Sequence, residues 1–597
     1  MLARQCRVNC RSTDPYLYSI AYAYPGARHL RTTSEERIRE YRRLGWWSDT
    51  RITDMFDDAV RSAPRQLAVL DPPNRDLLVG GTPLRLTYQD VADLADGYAV
   101  RLLQLGLGRD DILVTQLPNI AEYPALYLAA LRLGVVVSPV PMQFRRHELE
   151  QIVDLTGARA ILTVRSLKGA DYAAGAVELA RGRPLQVLCL GTDAPEGSLP
   201  FGPAPLTTES RATLAAQVDA LQVSADDVAT ICWTSGTEGM PKGVPRTHNH
   251  WIAISYGHLR GAGIRRGERL LNPFPLINMA AIGGCFMSWL HSAGTLVLHH
   301  PLDLGVYLRQ IAEERPEYAI APPAVLNMLL KDEKLLASVD LSSLRCIGSG
   351  SAPLDPEMIR GYQERFGIEI VNSFGSNEGM ALMSNAANAA NPEHRARLFP
   401  RYGRDEIRWE SPPHAEIRTR IVEPETGVEI LDAGKPGELQ ITGPTVFDGY
   451  FRAPQITAQS FTADGWFRTG DLFEITGEDD PPRFYRFIGR LKQIIVRGGV
   501  KIAPEELDNV LSQMPDVLEG AVTAYRDEIM GERICAVVVP KPGKQPTLDA
   551  VRAHFAAAGL ALFKHPERLQ VVEQLPRNSV GKVVRGDLAR MLTTASS

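Results

Sequence analysis

Segments of helical character alternate along most of the chain with short unbroken runs of Val, Ile and Leu. Glu35–Leu44 reads as a helix, ended by Gly45-Trp46-Trp47. Tyr123–Leu133 is apolar almost all round and predicts a buried helix feeding the buried strand Gly134–Val140. Ala160–Val164 and Leu185–Leu190 read as further buried strands. Strands that alternate with helices in this way predict parallel α/β layers. Clusters of Pro, Gly and Asp at 191–206 and 408–437 read as loops.

The pattern changes near 478–490. Glu478-Asp479-Asp480-Pro481-Pro482 is turn-rich, Phe484–Ile488 reads as a strand, and Gly489-Arg490-Leu491-Lys492 follows. Beyond it, the strands Ile494–Val496 and Cys535–Val539 and the helices Pro504–Gln513 and Leu548–Ala558 make a small α+β unit. The expected organisation is a loose Arg-rich tail over 1–32, a large α/β domain over 33–491 and a small C-terminal domain over 492–597.

Composition narrows the function classes. The 65 basic and 70 acidic residues leave a net charge of −5, which gives no basic field for nucleic acid. The most apolar stretch, Tyr123–Met142, is broken by Arg132, Gly134 and Pro139. A membrane span needs about 20 apolar residues, so none is expected. The first 30 residues lack the apolar core of a secretory signal. The seven cysteines form no CxxC pair, which suits a reducing, cytoplasmic setting.

The chemistry-bearing motifs come in order. Thr234-Ser235-Gly236-Thr237-Glu238-Gly239-Met240-Pro241-Lys242-Gly243 follows the apolar Val228–Trp233 segment. Its glycines let backbone N–H groups approach phosphate oxygens, while its hydroxyls and Lys242 add donors and charge. It is not a Walker A loop, because Gly243 follows the lysine where that pattern needs Ser or Thr. Gly348-Ser349-Gly350-Ser351-Ala352-Pro353 makes a glycine-rich turn. Asn372-Ser373-Phe374-Gly375-Ser376-Asn377-Glu378 combines an aromatic face that can stack on a base with a carboxylate that can hold Mg²⁺. Asp471, in Thr469-Gly470-Asp471, can accept bonds from two ribose hydroxyls, and Arg490 can add a ribose or phosphate contact. Leu575–Lys582 ends on Gly581-Lys582.

These motifs, in this order, resemble the adenylate-forming superfamily of acyl- and aryl-CoA synthetases, peptide-synthetase adenylation domains and luciferases. The resemblance runs from about Arg37 to Leu588. It implies a multi-subdomain N-terminal domain with mixed and parallel sheets flanked by helices, and a mobile C-terminal domain. It also implies ATP, Mg²⁺ and coenzyme A as co-substrates or cofactors, and the activation of a carboxylic acid as its acyl-adenylate. Thr234 and Lys242 would serve catalysis from the phosphate loop, with Ser235, Gly236, Thr237, Glu238 and Gly239. Gly350, Ser351, Ala352, Pro353, Asn372, Ser373, Phe374, Gly375, Ser376 and Asn377 would line the nucleotide. Phe374 stands where Tyr is usual and Asn377 where Thr is usual. Glu378 would hold Mg²⁺, Asp471 and Arg490 the ribose, and Lys582 the reacting oxygens.

Lys492 falls at the family's hinge, and Gly498 and Gly499 at its thiol tunnel. The acid pocket would draw on Asn278, Met279, Ile282, Gly283, Ser349, Gly350 and Gly375. The entry Arg37–Thr53 resembles that of aryl-acid AMP ligases, yet Ile277-Asn278 stands where those enzymes commonly carry His-Asn. That points away from a dihydroxybenzoate and towards a bulky, largely hydrophobic alicyclic, terpenoid-like or modified aromatic acid. The thiol acceptor is expected to be coenzyme A. The alternatives are a carrier-protein thiol or partner enzyme and, from another class, a nucleotide-binding regulatory protein with a dead site. A homodimer is compatible with the sequence.

Overall fold

The computed structural model describes residues 29–234, 241–350, 353–409, 416–497, 500–527, 530–560, 562–577 and 582–594. Among them, Val136–Pro139, Ile112–Gln116, Ala160–Thr163, Gln186–Leu190 and Leu199–Phe201 form the parallel part of a seven-stranded sheet, which the hairpin of Val228–Thr234 and Lys242–Thr247 closes at one edge. A second sheet of eight strands is parallel through Leu67–Leu70, Thr295–Leu298, Arg269–Asn272, Tyr318–Ile320, Cys346–Gly350 and Glu369–Ser376. Antiparallel strands Gly379–Ser384 and Arg85–Thr87 sit at its edges.

The predicted apolar helix is Glu122–Arg132, with every residue from Tyr123 to Leu131 buried. A helix apolar on all sides must be covered on all sides. Its Tyr127 and Leu131 share one core with Leu113 and Val137 of the seven-stranded sheet and with Leu270 and Leu296 of the eight-stranded one. No helix among the described residues is long and apolar enough to cross a membrane.

A third sheet is antiparallel and five-stranded, in the order Leu398–Pro400, Phe484–Arg490, Phe467–Thr476, Gly437–Thr442, Arg418–Val422. The chain leaves it through a short 3₁₀ turn at Leu491–Gln493 and enters a fourth sheet at Ile495–Arg497. That sheet also holds Val500–Ile502, Val517–Asp527, Gly531–Pro540 and Arg568–Val571, with the helices Pro504–Ser512, Leu548–Ala557 and Arg585–Thr594. The α/β class, with a small α+β C-terminal unit, is therefore as expected.

Three local readings need correction. Residues 29–32, assigned to a loose tail, are docked: Leu30 N–H donates to Asp110 at 2.9 Å, Arg31 pairs with Asp227 at 3.2 Å and Thr32 is buried. Leu199–Phe201, inside the supposed loop 191–206, is an edge strand, which tolerates its proline because one side needs no ladder bond. Arg418–Val422, inside the supposed loop 408–437, is an edge strand of the third sheet. Its arginines alternate with buried Thr419 and Ile421, a period-two signal masked by charge.

Candidate active site

The candidate residues collect where the ends of these sheets meet the C-terminal unit. Thr234 and Lys242 face each other across the hairpin, so the phosphate loop springs from a paired base. Ser235, Gly236, Thr237, Glu238 and Gly239 lie outside the described residues, as do Ser351, Ala352, Gly498 and Gly499. Ser349 and Gly350 pair in parallel register with Asn372 and Ser373. A Cβ at Gly350 would stand 2.1 Å from the Ser373 carbonyl oxygen, so only glycine fits there. Ser349 is buried and donates its hydroxyl to Ala321 O at 2.9 Å. Pro353, Gly375 and Ser376 are exposed.

Phe374 is half-buried, edge-on to Phe473 at 5.0 Å and flanked by Phe399 and Phe487. The cluster fixes the ring plane. Asn372 is buried, and its amide donates to the carbonyls of Arg395 and Ala396 at 3.1 and 2.9 Å, so the protein engages it away from any nucleotide. Asn278, expected as a polar anchor for the acid, caps the turn Met279–Ala281 by accepting from Ala281 N–H at 3.1 Å. Met279, Ile282 and Gly283 are buried, and Ile282–Phe286 forms a π-helical turn, an irregularity frequent at functional sites.

Glu378 is buried, and its Oε1 accepts from the Tyr450 phenol at 3.0 Å. The Lys242 ammonium lies over that same tyrosine ring, 5.1 Å from its centre. Tyr450 thereby joins the lysine of the phosphate loop to the carboxylate expected to meet Mg²⁺. Sequence reasoning missed it, because an aromatic in the run Phe447-Asp448-Gly449-Tyr450-Phe451 reads as core. The same reasoning missed Arg246, fully buried, whose guanidinium donates to Asn377 O at 3.0 Å and to Thr445 O at 2.6 Å. Burial pushes its pKa down to about 10, with Glu378 among the charges that pull it back up.

Asp471 and Arg490 are direct cross-strand partners, 3.1 Å apart. Burial raises the Asp471 carboxyl to about 6, against the pull of Arg490 and Lys582. Lys582 stands at the base of a loop closed by the bridge between Arg577 and Val583. Burial and then Arg490 lower its ammonium to about 8, while Asp471 and Glu378 raise it. The charge of Lys582 is thus felt together with those of Asp471, Arg490 and Glu378.

The docking surface is specific. A Cβ at Gly489 would meet Ala503 Cβ at 2.9 Å and Glu505 Oε2 at 2.8 Å. Arg585, three residues beyond Lys582, is held by Asp508 and by Glu505 at 3.4 Å.

The hairpin base at Thr234 and Lys242, the half-buried Phe374, the buried Asp471 and Lys582 of the C-terminal unit are the groups a nucleotide site would need. A profile described as AMP-binding enzyme matches residues 56–451, and one described as AMP-binding enzyme C-terminal domain matches 506–582. The chain belongs to the AMP-binding enzyme family. It is an acid-activating ligase of the adenylate-forming superfamily.

Two relatives come from Streptomyces. The 2-hydroxy-7-methoxy-5-methyl-1-naphthoate–CoA ligase of Streptomyces carzinostaticus is 31% identical over 91% of this chain and 93% of its own. A salicylyl-CoA synthase / salicylate adenylyltransferase of a Streptomyces species is 31% identical over 92% and 95%. Among solved structures, ATP-bound MatB from Rhodopseudomonas palustris superposes with a TM-score of 0.73 at 24% identity, over 92% of this chain and 100% of its own, a likeness of fold.

Proposed function

We propose that this enzyme activates a bulky, largely apolar aryl-type acid with ATP, releasing pyrophosphate, and passes the acyl group to coenzyme A. The observation that carries the reading is the buried carboxylate of Asp471 paired with Arg490 at 3.1 Å, near the charges of Lys582 and of Glu378, which Tyr450 holds at 3.0 Å.

ATP would place its adenine against Phe374, its ribose on Asp471 and Arg490, and its β- and γ-phosphates in the loop above Thr234 and Lys242. A carboxylate oxygen of the acid attacks the α-phosphorus in line, and the bond to pyrophosphate breaks. Lys582 neutralises charge on the attacking carboxylate and the α-phosphate. Positioning and charge suffice, so no covalent enzyme nucleophile is needed.

Glu378 fits Mg²⁺: one hard carboxylate, fixed by Tyr450, suits an ion that takes one or two carboxylates and fills its shell with phosphate and water. Among the described residues no cluster of three His, Cys, Asp or Glu offers an all-protein cage. Bound there, Mg²⁺ would neutralise phosphate charge. For the second half-reaction the small domain would rotate about Lys492, bringing Gly498 and Gly499 to the thiol's path.

The acid's character rests on the buried Pro273–Gly284 segment and on relatives named for naphthoate and salicylate. The second relative's name couples a CoA synthase with an adenylyltransferase, so adenylation is a separable activity there; the second reading is an enzyme that stops at the adenylate and leaves transfer to another acceptor, such as a carrier-protein thiol. Acid-dependent exchange of pyrophosphate into ATP, run over aryl, alicyclic and fatty acids, tests the first step. No exchange with any acid refutes it. Thioester formation with coenzyme A tests the second; adenylate that accumulates beside abundant coenzyme A transfers the assignment to the carrier reading.

A further inference from the structure

Asn377 occupies a position where threonine is usual in the superfamily, next to Glu378. Its side chain spans two parts of the site. Oδ1 accepts from Met279 N–H at 2.9 Å, and Nδ2 donates to Trp233 O at 3.1 Å. Met279 is the first residue of the turn Met279–Ala281, whose N–H has no partner within its own turn. Asn278 takes Ala281 N–H and Asn377 takes Met279 N–H, so the turn that opens the acid pocket is capped from two sides. Trp233 immediately precedes Thr234, at the root of the phosphate loop. The carbonyl of Asn377 itself receives the buried Arg246 guanidinium, which fixes the backbone from which the amide reaches.

We infer that Asn377 is a positioning residue of the acid pocket: its amide ties the Met279 turn to the phosphate-loop strand, and so governs acid affinity rather than α-phosphate contact. A threonine has one hydroxyl on Cβ and is too short to bridge both backbone groups. The inference rests on the adenylation reading for its kinetics, though not for its structural arm.

Two variants and one cycle test it. In wild type with salicylate, 1-naphthoate and octanoate as probes, pyrophosphate exchange yields separate KM values for acid and ATP. Asn377→Ala and Asn377→Thr are both expected to raise the acid KM by about tenfold while leaving the ATP KM within about twofold. A residue that served the α-phosphate would do the reverse: alanine would raise the ATP KM and threonine would restore it. That outcome overturns the inference, as does an acid KM unchanged in both variants.

Met279→Pro deletes the N–H at a position that accepts proline, the first of a helical turn. Combined with Asn377→Ala it should add less than about twofold beyond Asn377→Ala alone, because the Met279 bond is already lost there, together with the one to Trp233. Full additivity refutes the shared bond.

Hydrogen–deuterium exchange gives a readout free of turnover. The peptide spanning 277–284 should exchange about tenfold faster in both Asn377 variants, with ATP binding retained. Unchanged protection sinks the inference even where no acid supports exchange, so its failure is distinct from failure of the adenylation reading.

Discussion

Lys582 and Asp471 are tuned in opposite directions by the same burial, to about 8 and about 6. Asp471 must be ionised to accept ribose hydroxyls, and Lys582 must be protonated to stabilise the reacting oxygens. The kcat/KM profile should therefore rise through about 6 and fall through about 8. Lys582→Arg, whose guanidinium stays charged, is expected to keep the acid limb and abolish the alkaline one. A bell that survives in that variant assigns the upper limb elsewhere.

Tyr450→Phe keeps the ring beneath Lys242 and removes the bond to Glu378. It should weaken MgATP binding by about tenfold while leaving metal-free AMP binding unchanged by calorimetry. Equal losses for both ligands would refute a role through the metal carboxylate. At this scale the sequence picked out residues whose type suits a task, such as Asp471 and Lys582, and the structure brings their charges within reach of each other. The sequence was unreadable where direction decides. Asn372 sits in the expected motif but turns its amide to Arg395 and Ala396, and nothing local to the strand announces that.

The hairpin Phe467–Thr476/Phe484–Arg490 and the start of the helix Pro504–Ser512 meet at Gly489. Gly489→Val would drive its side chain into Ala503 and Glu505. We expect adenylation to fall by at least about a hundredfold, since the lysine is worth roughly that as a charge stabiliser, with AMP binding by the large domain preserved. Unchanged adenylation would mean that the small domain docks elsewhere during the first step.

The entry segment shows a similar dependence on distant partners. Arg37 reaches Asp448 at 2.6 Å and Trp47 packs on His250 at 5.0 Å, which straps residues 33–47 to the start of the helix His248–Gly261 and to the loop around Asp448. Its helix was legible from Ser34, Glu35 and Glu36 at one end and Gly45 at the other. Its anchorage was not, because Asp448 lies some four hundred residues away in the chain. Edge strands were missed for another reason: in Arg418–Val422 the arginines mask the alternation with buried Thr419 and Ile421.

Across the molecule, burial holds His248, His258, His291, His299 and His300 near 4 and His250 near 3. In the unfolded chain these imidazoles take up protons near pH 6.5. From there down towards 4 the unfolded state binds more protons, so stability falls as pH falls. Asp471 and Asp508, raised to about 6, act in the opposite sense, as do Asp57, Asp71, Asp96 and Asp226, which burial raises less far, but the histidines titrate across the whole window. The melting temperature is expected to drop steadily from pH 7 to 5.5; a flat profile would contradict the neutral buried histidines.

The layered α/β architecture and the change of sheet near Lys492 were legible because both follow from periodicity and turn residues. The convergence of three sheets on one site was not, since it depends on how the layers stack.

The pairing of Asp471 with Arg490 carries one more consequence. In an antiparallel ladder a shift of one residue turns a side chain to the opposite face. A single inserted residue between Asp471 and Thr476, or between Phe484 and Arg490, would therefore break the ribose contact outright. Inserted instead among residues 478–482, where the hairpin turns, extra length leaves the ladder untouched. That tip can carry a short peptide tag or a fluorophore, giving an optical test of the proposed domain rotation, mounted on the sheet that carries Asp471.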